Sequence, residues 1–203
     1  MMRSRFLMLL VFTAALALGA LSCSSSSAPP SRQYFVGTVD GSDARVGLVV
    51  QGSSALLFFC GGDTSYETLT HWMHGSMTPN QSFSLSDMTA SATGTFTGNS
   101  ASGMLTPSAN ATPLTWTANA ARPGTLEGLY TADVPMQGSA GVIIAQASTT
   151  AQPIVQGAFH STLINAVLQV TPLTPIQPSD KGLAMQVMVN SSLLQFFVTL
   201  AGP

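Results

Sequence analysis

His71-Trp72-Met73-His74 is the densest group of side chains in the chain able to bind a metal or move a proton. Paired imidazoles hold zinc when they share a face. On a strand, residues three apart point to opposite faces. His71 is then expected on the side of Leu69 and Met73, and His74 on the side of Thr70 and Trp72. Neither Cys-x-x-Cys nor His-Glu-x-x-His occurs, and no metal is expected. Cys60 with His71 or His160 would make a thiolate–imidazole pair. Cys60, however, closes the apolar run Leu56-Leu57-Phe58-Phe59, where burial disfavours the thiolate. An inert, buried thiol is the expectation.

Other nucleophile patterns are no stronger. Ser139 in Gly138-Ser139-Ala140-Gly141 lacks the spacing of a Gly-x-Ser-x-Gly elbow. Asp63 and Glu67 are the closest pair of acids near an aromatic strand, and they read as solvated residues of a Gly-Gly-Asp-Thr-Ser loop. Gly61-Gly62-Asp63 has neither the lysine nor the strand–helix frame of a phosphate loop. No catalytic residue and no cofactor is expected. Aromatic side chains remain. Burial in the core is their ordinary fate in β proteins, but on a barrel Trp72, Trp116 and Tyr130 are the candidates for lining a ligand pocket.

The elements that position these residues read as strands. Short apolar or alternating runs recur at 34–39, 45–50, 55–60, 67–74, 82–85, 92–97, 101–105 and 114–118. They continue at 126–132, 141–145, 154–160, 166–171, 183–189 and 194–200, separated by Gly, Ser, Asn, Asp and Pro. This spacing predicts an all-β fold, an antiparallel meander closed as a barrel or folded as a sandwich. Gly41 and Gly52 mark tight turns between the first three runs. A weak echo links Val46-Gly47-Leu48-Val49-Val50 to Ala140-Gly141-Val142-Ile143-Ile144, each followed by a polar turn and an apolar run. Convergent hairpin patterning accounts for it, and a duplicated half-barrel is the alternative.

Charge is scarce. Asp, Glu, Lys and Arg make up 7% of the 203 residues, against about 25% in ordinary domains. The net charge is −2, with no basic patch for nucleic acid and no polybasic stretch for anionic lipid. Such a composition disfavours helices, whose exposed faces usually carry Lys and Glu.

The amino terminus differs. Arg3 and Arg5 precede an uncharged segment over 6–22, then Cys23 and the small, breaker-rich tract Ser24-Ser25-Ser26-Ser27-Ala28-Pro29-Pro30-Ser31. The segment suits a secretory signal better than a spanning helix. Gly19-Ala20-Leu21-Ser22-Cys23 resembles the lipobox of bacterial lipoproteins, although Leu21 lies two residues before the cysteine where the commonest form has Leu three before. The resemblance implies a helical signal peptide at 1–22, cleaved before Cys23, and a thiol joined to diacylglycerol. The Ser/Pro tract itself reads as a flexible linker over 23–33, and the strand runs after it as a single β-rich domain over 34–203. Ser24, rather than an aspartate, implies an outer-membrane destination in a Gram-negative cell. Two acyl chains suffice for stable anchoring. With Cys23 lipidated, Cys60 has no partner for a disulfide.

The resulting expectation is a lipid-anchored cell-envelope protein with a non-enzymatic binding or interaction domain. Its partners would be the membrane, through Cys23, and an envelope protein or a small ligand. A small-ligand carrier of the closed-barrel kind and an envelope hydrolase are the alternatives.

Overall fold

Residues 30–203 are described by a computed structural model. The segments expected as a signal peptide (1–22) and as most of the linker, with Cys23, lie outside the described residues.

Glycine makes the first two turns. Gly41 and Gly52 sit at φ +71° and +60°, a region costly for residues bearing a Cβ. They join β1 (Gln33–Val39), β2 (Arg45–Gln51) and β3 (Ser54–Cys60). The run expected as a strand over 67–74 is split. Its first part is one helical turn, α1 (Tyr66–Leu69), because the Ser65 carbonyl accepts from the N–H groups of Thr68 (3.1 Å) and Leu69 (2.8 Å). β4 (His71–Ser76) begins only after it. Then come β5 (Ser82–Ser86), β6 (Ser91–Phe96), β7 (Ser100–Thr106) and β8 (Leu114–Ala120).

The second half holds β9 (Gly128–Val134), β10 (Gly138–Ala145), β11 (Ile154–Ser161), β12 (Ala166–Gln169), β13 (Thr171–Pro172), β14 (Leu183–Val189) and β15 (Ser192–Leu200). The strand expected from 126 starts instead at Gly128. The Leu126 N–H donates to Gln146 Oε1 at 2.8 Å, which keeps Leu126 in the connector.

The fold is all-β, and each half is an antiparallel meander curled into a nearly closed barrel. In the first, the spatial order is β4-β3-β2-β1-β8-β7-β6-β5, so the last strand returns to pair with the first. Its seam lies between β4 and β5, bridged at Met77 and Phe83. In the second, the order is β12-β11-β10-β9-β15-β14-β13, and β15 again returns to the first strand. There the closing strand changes partner. Val170 N–H still donates to Gly157 O of β11 at 2.9 Å, and Thr171 already faces Gln186 of β14.

Strand alternation sorts the apolar residues into three cores. Phe35, Val46, Leu48, Leu57, Phe59, Met73, Phe83 and Trp116 fill the first barrel. Val142, Ile144, Phe159, Met185, Val187 and Val198 fill the second. The third lies between the barrels. Val36, Val49, Leu56, Phe58 and Cys60, on the outer face of β1–β3, pack with Leu129, Ile143 and Ala158 of β9–β11. These strands are therefore covered on both faces, which is why they read as continuous apolar runs. Each fully buried Val, Leu or Phe in this layer contributes roughly 1.5–3 kcal/mol. Glycine permits the close approach: a Cβ on Gly141 would stand 1.7 Å from the Trp72 ring.

Candidate functional site

Where the barrels meet, a cleft of about 510 Å³ opens to solvent. Phe58 and Ala158 form its apolar base. Trp72, on the outer face of β4, leans on Phe58 with ring centroids 4.5 Å apart. The turn after β5 supplies Asp87, Met88 and Thr89, and the second barrel supplies Ser139, Gly141, His160 and Val167.

Asp87 holds the first rim in place. Its Oδ1 accepts from the N–H groups of Thr89 and Ala90, both at 2.7 Å. Its Oδ2 meets His71 Nδ1 at 2.9 Å. Partial burial works to raise this carboxyl, but the two N–H groups and His71 outweigh it, so it sits below the ordinary carboxylate range. The pair also clasps the open ends of β4 and β5, where the strands lack ladder pairing. This fixed turn carries Met88 fully exposed on the rim.

His71 is occupied on both sides. Its Nε2 meets the Thr68 carbonyl oxygen at 3.1 Å, so neither ring nitrogen is free to take a proton from a nucleophile. His74 points to the other side of β4 and is exposed. The two histidines thus diverge as strand geometry requires. Among the described residues, no three His, Cys, Asp or Glu side chains gather as metal ligands.

Ser139 and His160 do come together. They are register partners on β10 and β11, and both are exposed on the outer face. Asp133 on β9 pairs with Ser139, and Val167 on β12 pairs with His160. The row runs Asp133, Ser139, His160, Val167. Serine stands between the acid and the histidine, so this carboxylate does not orient the imidazole as a triad needs. Cys60 stays apart in the layer between the barrels. Burial pushes its thiol up to about 12, and its Sγ lies 3.7 Å from the Gly61 carbonyl oxygen.

Asp63 and Glu67 are both exposed. Glu67 lines the cleft, and Asp63 Oδ1 accepts from Gln169 Nε2 at 3.4 Å. The loop around Asp63 is held by Asp43. Hydrogen bonds from the Ser65 hydroxyl and from the Thr64 N–H (2.8 Å) and hydroxyl (2.7 Å) keep the Asp43 carboxyl well below its ordinary range.

The three aromatic pocket candidates do not share a cavity. Trp72 lines the cleft. Trp116 is fully buried in the first barrel, with Phe83 and Phe59 each 6.1 Å away between centroids. Tyr130 belongs to the second barrel's core and reaches a shallow groove beside Leu126, Leu183 and Leu200. Its hydroxyl donates to Leu126 O at 3.1 Å, and burial, with Tyr34 nearby, pushes the phenol up to about 12.

Asp87, Met88 and Thr89 were not among the residues singled out from sequence. The available signal was an aspartate opening a short turn between two alternating strands, a pattern in which the carboxylate caps N–H groups two and three residues on. No family model, curated protein or solved structure matches the chain.

Proposed function

We propose that this is a lipid-anchored cell-envelope protein, most consistent with the outer membrane of a Gram-negative cell, whose body is a non-enzymatic binding module. The cleft between the barrels is its docking place. The observation that carries this reading is the contrast between filled barrel interiors and an open junction lined by Trp72, Met88 and Val167. A carrier would take its ligand inside a barrel, and both interiors are occupied by side chains. A hydrolase is disfavoured by the occupied His71, the buried Cys60 and the order of the Asp133–Ser139–His160 row.

The tether fits this use. Pro30 and Arg32 lie beside the β2–β3 turn, where Gln51 Nε2 donates to Pro30 O at 3.3 Å and Arg32 Nε donates to Gln51 Oε1 at 3.0 Å. Phe58 and Trp72 lie toward the other end of β3, so an anchor at Cys23 leaves the cleft facing away from it. The stretch from Cys23 to Pro30 reaches at most about 25 Å at ~3.5 Å per residue, which keeps the module close to the membrane.

Two measurements test the reading. Cys23→Ala is expected to block lipidation and leave uncleaved precursor; normal cleavage with no lipid on the wild type would sink the anchor. Met88→Glu with Val167→Glu puts charge on both cleft rims. An envelope component recovered with the wild type should be lost with this variant, and equal recovery would rule out the cleft.

A further inference from the structure

Asp87 and His71 satisfy each other and the backbone around them, so the cleft's free chemistry is narrower than its lining. Asp87 accepts from Thr89, Ala90 and His71, and His71 is held at both nitrogens. Ser139, His160 and Glu67 are exposed and stand outside that network. They offer one hydroxyl, one imidazole and one carboxylate. Among the described residues, no Lys or Arg lines the cleft.

This set discriminates between ligand classes. An anion would meet Glu67 and find no cation to offset its desolvation. An organic cation would need converging carboxylates, and Asp87 is already compensated, which leaves only Glu67. A saccharide ring presents an apolar C–H face and a rim of hydroxyls that both donate and accept. Those hydroxyls lose water on binding and need replacement partners of mixed character. An indole beside hydroxyl, imidazole and carboxylate groups supplies both requirements. The volume of about 510 Å³ falls within the ~300–1,000 Å³ of small-ligand sites. The Asp87 turn and the packed Trp72 fix the walls before binding, which lowers the ordering cost.

We infer that the cleft binds a neutral saccharide, with a ring against Trp72 and hydroxyls toward Ser139, His160 and Glu67. This rests on the cleft being the docking place proposed above.

The two tryptophans make the test direct. Trp116 is fully buried, so the fluorescence that acrylamide can reach comes from Trp72. The full-length chain is titrated with trisaccharides of glucose, galactose and N-acetylglucosamine, and separately with tetramethylammonium. At least one trisaccharide is expected to shield Trp72 from acrylamide. Trp72→Ala should abolish binding measured by calorimetry. Because that change also disturbs the contact with Gly141, the double variant Ser139→Ala, His160→Ala carries the decision. It alters only exposed positions and is expected to weaken binding about tenfold, or ~1.4 kcal/mol. The inference is overturned if no trisaccharide shields Trp72, if tetramethylammonium alone does, or if the double variant binds as tightly as the wild type. If recovery of an envelope component still depends on Met88 and Val167 in any of those cases, only the ligand class is wrong and the docking reading survives.

Discussion

The two barrels solve the same closure problem with different outer walls. In the first, β5–β8 alternate strictly. Phe83, Leu85, Ala92, Ala101, Leu105, Trp116 and Ala118 turn inward, and Ser84, Ser86, Thr93, Thr95, Ser102 and Thr117 face water. In the second, the wall far from the junction is less polar. Met188 and Leu193 face each other across β14 and β15 and are 53% and 54% exposed, and Phe197 is 45% exposed further along. At the junction both barrels abandon alternation. The difference shows that uninterrupted apolar strands mark mutual burial, whereas exposed apolar side chains on β14–β15 carry no such demand.

Deleting a core centre should break the comparison most severely. Trp116→Ala is expected to cost about 3–5 kcal/mol, and Phe159→Ala a similar amount in the second barrel. Because the layer between the barrels is continuous, each should still unfold in one transition. Equilibrium denaturation followed by tryptophan fluorescence and by circular dichroism checks this, and two separated transitions would make the barrels independent. Gly141→Val strikes the junction itself and should cost about 1–3 kcal/mol by overpacking. It is the change expected to split unfolding into two steps.

Smaller effects sharpen the picture. His71→Ala removes the clasp across the β4–β5 seam and should cost about 1 kcal/mol, with faster amide exchange at the open ends of those strands. The carboxyls of Asp87 and Asp43 are depressed in the fold. Their contribution is present above the ordinary carboxylate pKa of about 4 and is lost as pH falls through their lower folded values. Asp87→Asn should therefore flatten the acid limb of the stability curve below about pH 4, and an unchanged limb would remove Asp87 from that account. Met188→Ser and Leu193→Ser should change stability by no more than about 0.5 kcal/mol. A larger loss would mean that the distal wall is buried against something.

Strand existence was legible because side-chain alternation and turn glycines are local signals. The runs at 82–85 and 194–200 and the turns at Gly41 and Gly52 fall close to where the chain places them. The echo between the segments starting at Val46 and Ala140 also has a structural counterpart. β2 and β10 are each the second strand of a meander, and each is covered on one face by its own barrel and on the other by its neighbour. What covers that second face was not legible, because Leu129 and Ile143 reach Gly47 only once both meanders have closed. The helical turn at Tyr66–Leu69 was hidden by a run whose apolar residues suit a strand equally well. At the site, the opposite facing of His71 and His74 followed from period-two geometry. The meeting of Ser139 with His160, and of Trp72 with Gly141, depends on register and on docking, which no local pattern encodes.

The return of β15 to β9 has a consequence for the protein as it is made. β9 and β15 face each other at only two register positions, Thr199 with Thr131 and Leu200 with Tyr130. The Ala201 N–H then donates to Leu129 O at 2.9 Å, and the Tyr34 hydroxyl from the first barrel donates to Ala201 O at 3.0 Å. Every strand of the first barrel has emerged by residue 120, whereas the second closes only once Thr199 and Leu200 of β15 are made. During synthesis a completed first barrel therefore presents Val36, Val49, Leu56 and Phe58 bare to water until its neighbour arrives. A chain stalled in that interval carries an apolar wall of the kind that recruits chaperones or other copies of itself.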